Sequence, residues 1–157
     1  MGAEDNQVNV AEFEMQLAAA RGAREGGMEI ERFVPFDLHP ATADELAHAE
    51  RALDVELPDQ YKDFMMRHGG GMFLFVDLLP IKSSDAPEDL LSRNTGEWHT
   101  PDFVAISPVG TGDWWGFIVN NGRCFPGVYF WRHDDDDREL TYDDFYTFLA
   151  NQGLKAA

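Results

Sequence analysis

The sequence predicts an α+β fold in a single domain, an antiparallel β-sheet covered by helices. Two observations predict it: capped helix signals gather in the first half and recur at the end, and a run of strand-forming segments lies between them. The length of 157 residues is that of one ordinary domain with a real core.

The elements follow in chain order. Asn9 and Glu12 form a capping-box pattern that opens a helix from about Val10 to Arg21, with Val10, Phe13, Leu17 and Ala20 on one face. Gly22 is expected to end it, and "RGAREGG" reads as a flexible connection. Residues 1–30 are therefore expected to be a peripheral helix with its linker, and 31–157 the α+β domain. Thr42 and Glu45 form a second capping box, followed by a stripe of Leu46, Ala49 and Leu53. A third helix starts with Pro58 in its first turn, buries Tyr61, Phe64 and Met65, and stops at Gly69 to Gly71.

Strands come next. "MFLFVDLLPI" and "DFVAISPVG" are rich in strand-formers, and each reads as one strand. The polar stretch between them carries at most one helical turn, near Pro87 to Leu91. In "WWGFIVNNGRCFPGVYFW", Asn121-Gly122 has the residues a two-residue type I′ hairpin turn needs. Pro126 and Gly127 interrupt the returning strand and predict one irregular arm. A last helix is expected from Tyr142 to about Gln152, with Thr141 as N-cap, Asp144 in the box position, Leu140 stapled onto Phe145 and Gly153 as the stop.

Composition narrows the function. An apolar fraction of 44% with 13% aromatics is enough to fold. A formal charge of −17 repels phosphates, which argues against direct nucleic-acid binding and against anionic membranes, and favours a basic protein partner. "MGAEDNQVNV" has neither a basic nor an apolar segment of a secretory signal, and one cysteine, Cys124, suits a reducing compartment. A cytoplasmic protein is expected.

The segment "YFWRHDDDD", Tyr129 to Asp137, raises the chemical question. A calcium loop starting at Asp134 needs glycine at its sixth position and glutamate at its twelfth, where this chain has Glu139 and Phe145. Starting at Asp135 gives Leu140 and Tyr146 instead. A transition-metal site wants several ligands, and His133 is the one histidine here. Four adjacent like charges repel one another and favour exposure, so the run reads as a solvated loop or a partner surface. "GTGDWWG" has glycines but no Gly-Lys-Ser/Thr, and reads as a turn into the hairpin. Trp114 and Trp115, neighbours on a strand, must point to opposite faces, and an exposed tryptophan beside acids is a good interface anchor. No serine elbow and no activated cysteine is visible, so no enzyme and no cofactor are expected.

Several of these motifs, in this order, resemble the SUKH superfamily, which includes yeast cell-wall synthesis regulators and many bacterial immunity proteins. The resemblance runs from about Phe36 to Leu149. It rests on Leu57, Pro58 and Tyr61, on the glycine pair Gly69 and Gly70, on Gly112, Asp113 and Trp114, and on Val128, Phe130 and His133. The family often has asparagine before the glycine pair, where this chain has His68. The resemblance implies an α+β domain with a curved antiparallel sheet and helices packed around it. It also implies function by contact: a cytoplasmic immunity protein that binds a toxin, with a nuclease as one expected class. The alternative is a regulatory scaffold with a different cellular partner. Candidate partner-binding residues are Asp113, Trp115, Trp131, His133, Asp134, Asp135, Asp136 and Asp137.

Overall fold

The computed structural model describes residues 9–25, 36–73, 76–82 and 89–154. Among these residues the fold is α+β, with five α-helices and two antiparallel sheets. Helix α1 (Val10–Glu25) starts on the expected cap, where Asn9 Oδ1 accepts the Glu12 N–H at 2.8 Å. Gly22 does not end it, because the helix continues to Glu25; the rest of the expected linker lies outside the described residues. Nor is it peripheral. Phe13 and Leu17 are buried, and the Phe13 ring stacks on Phe73 at 6.0 Å and tilts against Tyr146 at 4.8 Å. Glu14 then clamps the far end of the next helix pair through His68 Nε2 at 2.9 Å and Arg67 Nη1 at 3.2 Å.

Helix α2 (Ala43–Leu53) has both halves of its capping box, and α3 (Asp59–Arg67) follows Pro58, which stands as its N-cap. Their stripes bury Leu46, Ala49 and Leu53, then Tyr61, Phe64 and Met65, as the spacing predicts. Glu50 holds the corner between them by accepting the Leu57 N–H at 2.8 Å and pairing with Lys62 at 3.2 Å. Tyr61 sits edge-on to Phe117 and Phe145, both at 5.2 Å, in the middle of the core.

The strands divide between two sheets. The first joins β1 (Phe36–His39), β2 (Gly70–Phe73) and β3 (Val76–Leu78) in that order. The expected single strand "MFLFVDLLPI" is thus a tight antiparallel hairpin, which begins at the second glycine of the helix stop; residues 74–75 lie outside the described residues. The second sheet runs β4 (Phe103–Pro108), β5 (Trp114–Asn120), β7 (Val128–Arg132) and β8 (Asp137–Tyr142), with β6 (Arg123–Cys124) paired to the end of β5. Asn121 and Gly122 turn β5 into β6 with φ of 54° and 75°, the left-handed pair a type I′ turn needs. The returning arm is irregular as expected: β6 lasts two residues and β7 rejoins β5 only after Phe125 to Gly127.

Short helix α4 (Leu90–Asn94) is capped by Asp89; it starts later than the turn expected at Pro87, and residues 83–88 lie outside the described residues. Its last residue closes the free side of β4. The buried Asn94 amide donates to the Ala105 carbonyl at 2.9 Å and accepts the Ala105 N–H at 2.8 Å, as a neighbouring strand would. Farther along the same edge, the Leu79 N–H donates to the Ile106 carbonyl and links the two sheets.

The chain end departs from expectation. Residues up to Tyr142 belong to β8, so Thr141 is no cap. Asp144 caps α5 (Phe145–Phe148) by accepting the Thr147 N–H at 2.8 Å, and the helix widens into a π turn over Leu149–Gly153. Leu140 stays half exposed on its strand and does not staple Phe145.

Candidate functional site

The acidic run lies at the tip of a β-hairpin. Arg132 and Asp137 are the last paired residues of β7 and β8, and residues 133–136 make the turn between them. Asp136 takes the left-handed conformation at φ 58°, which aspartate tolerates better than most residues. Asp135 Oδ1 accepts the Asp137 N–H at 3.0 Å, so a side chain replaces a backbone turn bond.

Each aspartate has a partner within the hairpin. Arg132 reaches Asp137 at 2.8 Å and Asp135 at 3.5 Å. The Trp131 indole N–H donates to Asp136 Oδ1 at 2.7 Å, and His133 Nε2 lies 3.1 Å from Asp134. These pairings reduce the mutual repulsion that a bare run of four carboxylates would carry. They also orient the carboxylates while leaving them wet: the Asp134 and Asp136 side chains are 87% and 71% exposed. The Asp137 N–H and the Arg132 guanidinium hold the Asp135 carboxyl below its ordinary range, and Asp135 with Asp137 raises Arg132.

A second turn backs the tip. Between β4 and β5 the chain folds through Gly110 and Gly112, both at φ +95°, and the Val109 N–H closes the loop on the Asp113 carbonyl at 3.1 Å. Asp113 then reaches across to the hairpin. Its Oδ1 accepts the His133 backbone N–H at 3.0 Å and lies 2.7 Å from His133 Nδ1, while Oδ2 accepts the Thr111 hydroxyl at 2.9 Å. The His133 backbone N–H, its ring and Thr111 together hold the Asp113 carboxyl low, and Asp113 in turn holds the imidazole above its usual value. Gly112 is required here, since a Cβ at that position would meet the His133 ring at 2.9–3.2 Å from a left-handed backbone.

The aromatic half of the segment splits between the two faces of the sheet. Trp115 pairs with Phe130 on the inner face, with rings 4.9 Å apart, and rests on the buried Phe148 at 5.2 Å. Trp131 pairs with Trp114 on the outer face and tilts over Phe103 at 5.1 Å. The Arg138 guanidinium lies 5.2 Å from the Trp131 ring and 5.5 Å from the Phe103 ring, tied to Asp102 and to Asp136.

Of the eight candidate residues, the structure gathers Trp131, His133 and Asp134 to Asp137 on one hairpin end, with Asp113 as their support. Both oxygens of Asp113 are already engaged, and Trp115 lies on the opposite face, against the core. Arg132, Arg138, Asp102 and Phe103 complete the site and were not singled out in the sequence. Their signal is register: Trp131 opposes Arg138 and Arg132 opposes Asp137, which becomes visible once β8 is known to be a strand.

Among the described residues, no group of three or more His, Cys, Asp or Glu side chains is placed to hold a metal ion. Cys124 is buried away from the hairpin; burial, and next the Glu50 carboxylate, push its thiol up to about 12. No helix among the described residues is long and apolar enough to cross a membrane.

The family model described as the SMI1 / KNR4 family (SUKH-1) matches residues 40–151. The chain belongs to the SMI1 / KNR4 family (SUKH-1). The SUKH-1 match takes in the α2 capping box, both turns of the site and the whole five-stranded sheet, and begins after α1 and β1. No curated protein matches the chain.

Proposed function

We propose that this SUKH-1 chain is a non-enzymatic, cytoplasmic binding protein that neutralises a cognate bacterial toxin, a nuclease domain in particular, by covering its basic surface. The observation that carries the reading is the β7–β8 tip, where four consecutive aspartates are held in fixed but solvent-facing positions by Arg132, His133 and Trp131. A nuclease surface must be basic to hold phosphates, and a chain at −17 offers a competing negative field that speeds encounter. Family membership supports action by contact, because immunity proteins of this superfamily need only a surface.

The test is co-purification with the product of a toxin gene adjacent to its own, followed by binding at increasing salt. Replacing Asp134 to Asp137 with serine is expected to slow association by about tenfold or more at low salt and to flatten the salt dependence. Tight binding indifferent both to salt and to this replacement would remove the electrostatic part. Protection of growth against the toxin separates immunity from the regulatory alternative, in which the same fold serves a different cellular partner.

A further inference from the structure

Alternation along β5, β7 and β8 sends Ile118, Tyr129, Trp131 and Leu140 to the face of the large sheet that points away from Phe117 and Phe148. One end of that face is finished. Phe103 lies so close over Gly116 that a Cβ there would meet the ring at 2.5 Å, and Trp131 and Arg138 cover Phe103 in turn. Arg93 of α4 likewise lies over Trp114, 4.3 Å from its ring centre.

Among the described residues, the middle of the face has no such cover. Leu140, directly opposite Tyr129, is 50% exposed, and Phe125, whose N–H donates to the Ile118 carbonyl, is 40% exposed. Ile118 and Tyr129 between them are half-buried. The margin is acidic: Asp102 and Asp136 flank the finished end, and the cation between them, Arg138, is already bound to both. An apolar strip edged by carboxylates is complementary to apolar side chains flanked by arginine or lysine. It is poorly suited to a second copy of a chain whose own charge is −17.

We propose that this bare sheet face is the docking surface for the basic protein partner: partner apolar side chains settle on Ile118, Tyr129, Leu140 and Phe125, and a partner arginine or lysine meets Asp102 and Asp136 beside the Trp131 ring. The inference rests on the reading of a basic partner above and assigns that partner a second footing beyond the hairpin tip.

The experiment titrates the isotopically labelled full chain with a short peptide of alternating arginine and leucine, and with one of lysine and serine, following backbone amides by NMR. The arginine–leucine peptide is expected to shift Ile118, Tyr129, Trp131 and Leu140, and Leu140→Ser to weaken it at least tenfold without lowering the melting temperature. Shifts confined to Asp134 to Asp137, equal binding of both peptides, or a Leu140→Ser variant that binds as before would overturn the assignment. So would a concentration-dependent dimer that Leu140→Ser abolishes, since the occupant is then a second copy. If a cognate toxin binds and Leu140→Ser leaves that affinity untouched, the face is wrong while the proposed function stands. If no toxin binds yet the arginine–leucine peptide maps to this face, the proposed function falls and the docking surface survives.

Discussion

His133 and Asp113, twenty residues apart, lock two turns of the large sheet together: one carboxylate oxygen takes both the backbone N–H and the ring nitrogen of the histidine, the latter at 2.7 Å. The acidic tip is therefore held from behind, by a backbone bond and by a ring bond that is stronger when the imidazole is protonated.

Stability should follow that charge. His133 is raised above its ordinary 6.5, first by the Asp113 hydrogen bond and further by the Asp134 charge, so its contribution is complete below 6.5 and fades as pH climbs through the raised value. Asp113 is lowered below 3.8 by its bonds from His133 and Thr111, so its contribution is present above 3.8 and fades as pH falls through the lowered value. Wild type should exceed His133→Ala in stability most between about pH 4 and 6.5, with the difference shrinking above that window. Urea unfolding of both proteins across pH, with an NMR titration of the ring, checks it. A difference unchanged from acid to alkaline pH contradicts it.

Gly112→Ala should loosen the same lock. The substitution forces a left-handed Cβ against the imidazole, and a loss of about 1–2 kcal/mol is expected. The His133 ring titration should move back toward its ordinary value in this variant, an effect that general destabilisation does not produce.

Phe13→Ala tests whether α1 belongs to the core. With the ring fully buried against Phe64, Phe73 and Tyr146, truncation should cost about 3–5 kcal/mol by chemical denaturation. A loss near zero would return the helix to the periphery.

Asn94→Leu removes the amide that pairs with both backbone groups of Ala105 and leaves them buried without partners. A loss on the order of 2–3 kcal/mol is expected, and the Ala105 amide should exchange faster with solvent.

Cys124 should react with a thiol reagent at neutral pH only as the chain unfolds, because burial holds the thiol protonated. Labelling that matches a free thiol in rate under native conditions would contradict its placement.

What the sequence reveals follows the range of each interaction. The α2 capping box, the α3 stripe and the Asn121-Gly122 turn depend on residues within a few positions, and all three form as read. Strand β8 escapes because "DRELTY" has no apolar alternation; its pairing comes from β7, and the charge run before it hides a turn. Displacing that boundary also moves the last cap from Thr141 to Asp144. The burial of Phe13 is unreadable because its ring partners, Phe64, Phe73 and Tyr146, lie far along the chain. At the site, the residue types stand out in the sequence. Which face each aromatic takes, and which cation neutralises which aspartate, depends on the register of three strands.

The Asn94 amide on the edge of β4 bears on which margins of the sheet are open to a further strand. With one margin of the five-stranded sheet occupied by a side chain that imitates a strand, addition of a foreign strand is directed to β8. That margin carries Asp137 and Glu139 beside Arg138, and a copy of the same chain approaching it meets like charge along the row of backbone groups it would need to join. Asn94 thus closes one margin of the sheet by mimicry, and the charges of β8 on the hairpin oppose pairing at the other.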